Sequence, residues 1–598
     1  MVQKYYLGIS ISHNSSAALM CDGKIIAAAC EERFNREKNY VGFPIESIRL
    51  CLNQAGITGR QIERAAYSTI SNSGLLVKAQ TNTKFSITDY HNYYGEEYYA
   101  KVLAGEVPKQ YLLKLRDDSQ FNSGVQHFDF NYLTDEVVLD RDLDIELFQK
   151  EQVRILNEQF EIDAEKIEFL DHHYCHANYA YFASPFRNSD CLVITMDGWG
   201  DGRNQTVWKV QAEKLELLAD STQNEIGRIY KLATLILGMR PDEHEFKVMG
   251  LAPYAKDSYV LKAFEPIKDI CEVDGLRIVH KNRPKDLYKY LVEKWKAHRF
   301  DNIAGAVQKL TEDLASQLVN NAIYETGISR VVLGGGIAMN IKMNQTISEL
   351  EDVSEIYVAG SNGDESLSIG ACYALEKRSD TNQCLDNMYL GYDVSEEINQ
   401  LAVIDFDNDF IVEENPKYTN VAQLLLRGNI VGWIQGQAEF GARALGNRSI
   451  LANPSIRESV QKINEAIKNR DFWMPFALSI LEEEHQRYIF NPKRIKSPVM
   501  SMGFNSIPEN YQMIEAGTHP YDKTVRPQFV SEIHNPEYHR LISEYFKVSG
   551  VPALLNTSFN LHGEPIVNSV KDAIRTFRLS ELDYLLIGNR FLLSKKTV

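Results

Sequence analysis

Apolar residues recur at close spacing through the first thirty positions, Y-L-G-I-S-I-S-H-N-S-S-A-A-L-M-C-D-G-K-I-I-A-A-A, and the pattern predicts strands folded back on one another. Asp22-Gly23 between two such runs is a hairpin signal, because the favoured two-residue turn needs residues that tolerate positive φ. Next comes F-P-I-E-S-I-R-L-C-L-N-Q-A-G, with Pro near its start and Gly at its end, which reads as an amphipathic helix. Residues 72–150 differ in texture: Tyr, Asp, Glu and Lys crowd together, as in D-Y-H-N-Y-Y-G-E-E-Y-Y, and predict a mostly helical insertion. From about 165, short apolar runs (I-E-F-L, D-C-L-V-I-T-M-D-G, V-W-K-V, V-V-L-G-G-G, I-Y-V-A) alternate with helical segments, several ending in Gly or Asp. That alternation predicts an α/β fold carrying its ligands at strand ends. A linker-like stretch lies near Asn382–Ser395, and a second mixed segment runs from N-I-V-G-W-I-Q-G to the C-terminus. No repeat of short fixed period is visible.

Composition narrows the class. With 598 residues, 44% of them hydrophobic and 10% aromatic, the chain is expected to form two or three domains with large cores. No run has membrane-spanning length, and the start lacks the long apolar segment of a signal peptide. The eight cysteines are scattered without a C-x-x-C, which suits a reducing cytoplasm better than a disulfide framework or zinc ribbon. A net charge of −17 argues against nucleic-acid binding. It is compatible with a cationic small substrate, and equally with simple solubility.

Several stretches carry candidate chemistry. In L-D-H-H-Y-C-H-A, His172 and His176 stand four apart and would share one helix face; His173 and His176, three apart, are an alternative pair. A metallopeptidase would need Glu where His173 stands. Taken alone, the H-x-x-x-H spacing is weak evidence for a metal, and polar helix residues account for it more readily. I-T-M-D-G-W-G-D-G runs a strand into Asp197 and glycines that admit a phosphate or ion. V-V-L-G-G-G-I-A-M-N places Gly334, Gly335 and Gly336 before a helix, a turn able to cradle phosphate, although it lacks the Lys-Ser/Thr ending of a P-loop. A-G-S-N-G-D-E-S-L-S-I-G-A sets Asp364 in another glycine turn. Each is singly a tight strand–helix turn; together, two strand-end aspartates and two histidines suit a divalent ion beside a nucleotide. In the second segment Arg443, Arg448, Lys468 and Arg470 form a cation cluster, and Arg526 precedes the polar run Asn556, Thr557, Ser558 and Asn560. Arg forks suit phosphate and carboxylate oxygens.

H-N-S-S-A-A-L, E-E-R-F-N-R, H-H-Y-C-H-A, M-D-G-W-G-D-G, F-K-V-M-G-L-A-P-Y, L-G-G-G-I-A-M-N, G-D-E-S-L-S-I-G-A, G-A-R-A-L-G-N-R-S-I, V-R-P-Q and N-T-S-F-N-x-x-G-E-P-I-V, in this order, resemble the O-carbamoyltransferase family of nodulation-factor and antibiotic carbamoyltransferases. The resemblance covers nearly all of the chain except the insertion. It implies an N-terminal actin-like ATPase (ASKHA, threonylcarbamoyl-transferase-like) domain over 1–385 and a C-terminal YrdC-like α/β domain over 400–598. The latter would form carbamoyl-adenylate from ATP and carbamoyl phosphate; the former would pass the carbamoyl group to a hydroxyl of a small-molecule acceptor. Carried over by motif, His172, His176, Asp197 and Asp364 would hold a divalent ion of the iron(II) type, with Mg²⁺ admissible beside ATP. Gly335, Gly336, Asn340 and Gly250 would touch the nucleotide, His13 and Lys247 would act at the transfer site, and Arg443, Lys468, Arg526, Ser558 and Asn556 would bind carbamoyl phosphate. The expected protein is cytoplasmic, binds neither nucleic acid nor membrane, and leaves room for a homodimer.

The pattern departs from the family in places. Gln437 and Ala442 stand where Arg and Pro are usual, and Met474 and Leu478 where Arg and Pro are frequent, which thins the basic cluster. A hydrogenase-maturation carbamoyltransferase would need an acylphosphatase domain and C-x-x-C zinc fingers. The acidic charge disfavours a tRNA acceptor. A non-catalytic nucleotide- or metal-binding regulator would more readily have lost His172, Asp197 or Arg526. The acceptor is not readable; the tyrosines of the insertion, Tyr90, Tyr93, Tyr94, Tyr98 and Tyr99, mark the place expected to choose it.

Overall fold

The structure is a computed structural model that describes residues 3–79, 86–118, 127–376, 383–385, 387–406, 409–468, 471 and 473–596. The chain forms two compact units, one of Met1–Glu32 with Glu37–Leu385, the other of Arg33–Arg36 with Asp386–Val598.

In the first unit, β1 (Tyr5–Ser10), β2 (Ser16–Cys21) and β3 (Lys24–Cys30) form an antiparallel meander. Asp22 and Gly23 make its second turn with φ of 47° and 83°, the all-positive geometry expected of Asp-Gly. Helix α1 (Ile45–Ala55) follows, capped by Gly56 in the left-handed region. Strands β4 (Ile62–Tyr67) and β5 (Ile167–Phe169) then add parallel to β1, giving the order β3-β2-β1-β4-β5.

The second sheet repeats this plan. Strands β6 (Cys191–Gly200), β7 (Arg203–Gln211) and β8 (Lys214–Ser221) form a meander, and a separate hairpin comprises β9 (Cys271–Asp274) and β10 (Arg277–His280). Strands β11 (Arg330–Gly334) and β12 (Glu355–Val358) are parallel to β6, in the order β12-β11-β6-β7-β8. The internal duplication is therefore one of topology and has no short sequence period. The stretch Val331–Gly334 is wholly buried, as expected for a parallel strand covered on both faces. Helices α2 (His172–Ala183) and α3 (Leu367–Leu375) follow β5 and β12, equivalent places in the two halves. They pack so closely that a Cβ on Gly370 would come within 2.0 Å of the Cys175 carbonyl oxygen.

The described residues of the 72–150 region are mostly helical, with their own apolar cluster of Leu75, Ala79, Tyr111, Leu115, Leu133, Val137 and Val138. Its tyrosines largely contact one another: Tyr93 stacks on Tyr98 at 4.6 Å and meets Tyr94 edge-on at 5.0 Å.

The second unit is built on a mixed eight-stranded sheet. The strands of the unit are β13 (Tyr389–Asp393), β14 (Phe410–Glu414), β15 (Val431–Ile434), β16 (Gln437–Glu439), β17 (Arg448–Ala452), β18 (Ala477–Leu481), β19 (Ile489–Phe490), β20 (Phe504–Ser506), β21 (Thr524–Val525), β22 (Pro527–Val530), β23 (Ala553–Ser558), β24 (Tyr584–Ile587) and β25 (Phe591–Lys595). The large sheet has the order β14-β25-β24-β15-β17-β23-β18-β22, while β13 pairs with β16 and β19 to β21 form a small third sheet. Part of the stretch read as a linker is thus a strand: Tyr389 faces Glu439 across the β13–β16 pair, and Leu390 is buried. The core gathers Ile434, Ile450, Leu555, Phe559, Phe577, Leu585 and Leu593.

Candidate functional site

Asp171 caps α2 by accepting from the Tyr174 N–H at 2.8 Å, so the helix begins at His172 and puts His172 and His176 on one face. Both Nε2 atoms approach one oxygen, Asp197 Oδ2, at 3.1 and 3.0 Å. Asp364 Oδ1 lies 3.9 Å from His172 Nε2 and 4.0 Å from His176 Nε2. The four ligand atoms all fall within 4.8 Å of one another. Ligands about 2.1 Å from a tetrahedral ion are separated by about 3.4 Å, so these spacings bracket what one divalent ion needs. Two imidazoles and two carboxylates are an oxygen/nitrogen set suited to such an ion.

The carboxylates are aimed by their other oxygens. Asp197 Oδ1 accepts from the Gly198 N–H at 2.6 Å, and Asp364 Oδ2 accepts from Ser12 Oγ at 2.9 Å, which leaves Oδ2 of one and Oδ1 of the other for the histidines. Gly200 admits the His172 ring: a Cβ there would come within 2.2 Å of His172 Cδ2. Burial opposes a charge on His172, but the bond to Asp197 and the field of Asp364 overcome it and raise its pKa to about 9. Burial pushes Asp197 the other way, yet the two imidazoles hold its carboxyl well below the usual range.

His173 takes a different part. Its Nδ1 lies 2.8 Å from Thr195 Oγ1 and its Nε2 3.2 Å from the Arg203 carbonyl oxygen. Burial, with His172 and His176 nearby, lowers its pKa to about 3, and it stays neutral. The alternative pairing of His173 with His176 is therefore not the one the fold makes.

The glycine turn after β11 sits against the same cluster. Gly335 has φ of 82°, and a Cβ there would meet the Met196 carbonyl oxygen at 2.4 Å; one on Gly336 would lie 2.9 Å from Asp197 Oδ1. Asn340 caps the following helix, accepting from the Met343 N–H at 3.0 Å, and exchanges hydrogen bonds with Gln308. His13 occupies the β1–β2 turn next to Ser12, and its buried Nε2 has no hydrogen-bond partner among the described residues. Lys247 and Gly250 lie on the short helix Glu245–Leu251, Lys247 half-buried and Gly250 buried.

In the second unit the cation cluster separates into parts. Arg448 is fully buried, and its guanidinium donates to the carbonyl oxygens of Gln435, Gly436, Asn447, Tyr392 and Asn568. Five backbone acceptors occupy its fork, so Arg448 ties strands together and offers nothing to a phosphate. Lys468 Nζ donates to Ser558 Oγ at 3.2 Å, Asn560 O at 3.1 Å and Asn560 Oδ1 at 2.6 Å, fixing the Asn-Thr-Ser-Phe-Asn turn. The Asn556 amide donates to the Ala444 carbonyl at 3.1 Å and Ser479 Oγ at 2.9 Å. Gln528 Nε2 donates to the Leu445 carbonyl at 2.9 Å. These two bonds bring the half-buried Arg443, beside Ala444, and Arg526, two residues before Gln528, into one neighbourhood. Arg470 lies outside the described residues.

Sequence reasoning passed over Glu439, whose Oε1 accepts from the N–H groups of Leu445, Asn447 and Arg448 at 2.7, 2.8 and 3.1 Å and so shapes the Arg443 loop. The signal was an acidic residue within a glycine-rich basic stretch.

Two family models match: carbamoyltransferase N-terminus over residues 5–373 and carbamoyltransferase C-terminus over 422–595. A protein of Methanocaldococcus jannaschii is 30% identical, with 98% of this chain and 99% of that one aligned. Nodulation protein NolNO of Sinorhizobium fredii is 29% identical over 98% of this chain and 79% of its own length. The 3'-hydroxymethylcephem-O-carbamoyltransferase of Streptomyces clavuligerus is 27% identical over 46% of this chain and 53% of its own length. The chain belongs to the carbamoyltransferase family.

Proposed function

We propose that the protein joins a carbamoyl group to a hydroxyl of a small-molecule acceptor, using ATP and carbamoyl phosphate through a carbamoyl-adenylate. The convergence of His172, His176, Asp197 and Asp364 on one point carries this reading. The duplicated sheets support an actin-like ATPase plan for the first unit, and the relative named as an O-carbamoyltransferase supports a hydroxyl acceptor.

His172, His176, Asp197 and Asp364 would hold a divalent ion of the iron(II) type, which supplies Lewis-acid polarisation beside the reacting carbonyl. The Gly335–Gly336 turn offers backbone N–H groups for phosphate next to Asp197. In the transfer step the acceptor oxygen attacks the carbamoyl carbon, the bond from that carbon to the phosphate oxygen breaks, and AMP leaves. His13 is the residue assigned to take the hydroxyl proton, at its buried and unbonded Nε2. In the second unit Arg443 and Arg526 supply positive charge for carbamoyl phosphate, while Lys468, Ser558 and Asn556 shape the floor.

The test is incubation with ATP, carbamoyl phosphate and a panel of hydroxylated natural products and sugars, followed by mass spectrometry. A carbamate-sized mass gain with matching AMP release is expected. Absence of ATP turnover with every acceptor would sink the reading.

A further inference from the structure

We infer that Asp201 is a positioning residue that clamps the segment leading into the 72–150 insertion to the first turn of the helix bearing His172 and His176; its bearing on transfer rests on the reading above. Asp201 and Gly202 form the β6–β7 turn, with φ of 49° and 82°, and Gly200 pairs with Arg203 across it. The Asp201 carboxylate points away from its own turn and collects five donors. Its Oδ1 accepts from Thr69 Oγ1 at 2.7 Å, Ser71 N at 3.0 Å and Ser71 Oγ at 2.6 Å, and its two oxygens share Ile70 N at 3.2 and 3.1 Å. Its Oδ2 accepts from His172 N at 2.8 Å.

Geometry gives this hub its meaning. The first N–H groups of a helix lack partners within it, and here Asp171 serves Tyr174 while Asp201 serves His172. Both the ring and the backbone of His172 are thereby fixed from β6 and the turn that ends it: Gly200 lies against the ring, Asp201 holds the N–H, and Asp197 meets Nε2. Thr69, Ile70 and Ser71 are the last residues between β4 and the insertion. A shift of the insertion on taking an acceptor would therefore pull on the same carboxylate that sets His172.

Asp201→Asn isolates this role, because Asn-Gly favours the same turn and keeps the volume, while the amide replaces one acceptor oxygen with a donor. Hydrogen exchange of the metal-free protein is the first readout. In Asp201→Asn the His172, Ile70 and Ser71 amides should exchange roughly five- to tenfold faster, with β1 and β11 unchanged. Titration with Co(II) alone, followed by its visible absorption, is the second. Affinity should fall roughly ten- to a hundredfold with an altered band shape, as when groups supporting a ligand are lost.

Unchanged exchange at His172 overturns the proposal. If Asp201→Asn does not fold, the double variant Thr69→Val with Ser71→Ala removes only the side-chain donors of the segment leading into the insertion; it should still speed exchange at His172, and no change there overturns the coupling. A wild-type protein that binds no Co(II) would count against the metal reading of the site, while the exchange data still decide the clamp.

Discussion

The histidine–aspartate cluster of the first unit and the cation cluster of the second were equally conspicuous in sequence, and the fold uses them in opposite ways. His172 and His176 direct Nε2 atoms at a common point that Asp197 and Asp364 also face, with the carboxylates' other oxygens held by Gly198 and Ser12. Arg448, by contrast, commits its guanidinium to five backbone carbonyls, and Lys468 commits its ammonium to the turn at Ser558 and Asn560. The difference teaches that a polar group's use depends on whether its partners are fixed protein atoms or other ligand-type atoms. Residue type alone does not tell them apart.

The sharpest break of this contrast is His172→Ala or Asp364→Ala. Either should lower ion affinity by at least about a hundredfold and abolish transfer, read by metal content after gel filtration and by carbamate formation. Unchanged metal content in both would put the ligand set elsewhere. Arg448→Met should act on stability instead, costing roughly 3–5 kcal/mol in urea unfolding because buried carbonyls lose their donor, with ion binding by the first unit unchanged. A comparable midpoint for wild type and variant would mean the fork is not structural.

Acidity sharpens the comparison next. His172 has its pKa raised from 6.5 to about 9, so its contribution to the metal-free fold is complete below pH 6.5 and is lost as pH rises through 9. Asp197, with its pKa lowered, contributes above the ordinary carboxylate range and loses this only in acid. Metal-free thermal stability should thus fall from pH 6.5 to 9, while ion affinity rises across the same window because the ion competes with the proton on His172. Parallel slopes would contradict the shared site. Arg526→Ala should raise the KM for carbamoyl phosphate about tenfold and leave ion affinity alone, separating a cradle cation from the structural Arg448. The smallest effect is expected from His173→Asn: about 1 kcal/mol of stability, measured by thermal melting, with ion affinity kept within about threefold.

Much of this was legible in sequence, for physical reasons. The apolar runs marked β1, β6 and β11, Asp22-Gly23 marked a turn, and i to i+4 spacing put His172 and His176 together, because helix and strand periods are local properties. Burial decided what was not legible. Nothing local says that Arg448 meets carbonyls from Tyr392 to Asn568, that His173 turns to Thr195, or that Tyr93 stacks on Tyr98. The duplicated sheets also escaped, since the two halves share connectivity and no short period.

The placement of α2 and α3 at matching points of the two halves has a consequence for the protein's lifetime. His172 and Asp364 are 192 positions apart (364 − 172), so an ion held by both joins one half to the other. Free ion at a hundred times its Kd would add about 2.7 kcal/mol to the folded state. Metal supply would then govern how long the chain survives as well as how fast it works: a cell short of the ion would lose this protein to its proteases, and protease resistance measured against ion concentration would trace the same curve as binding.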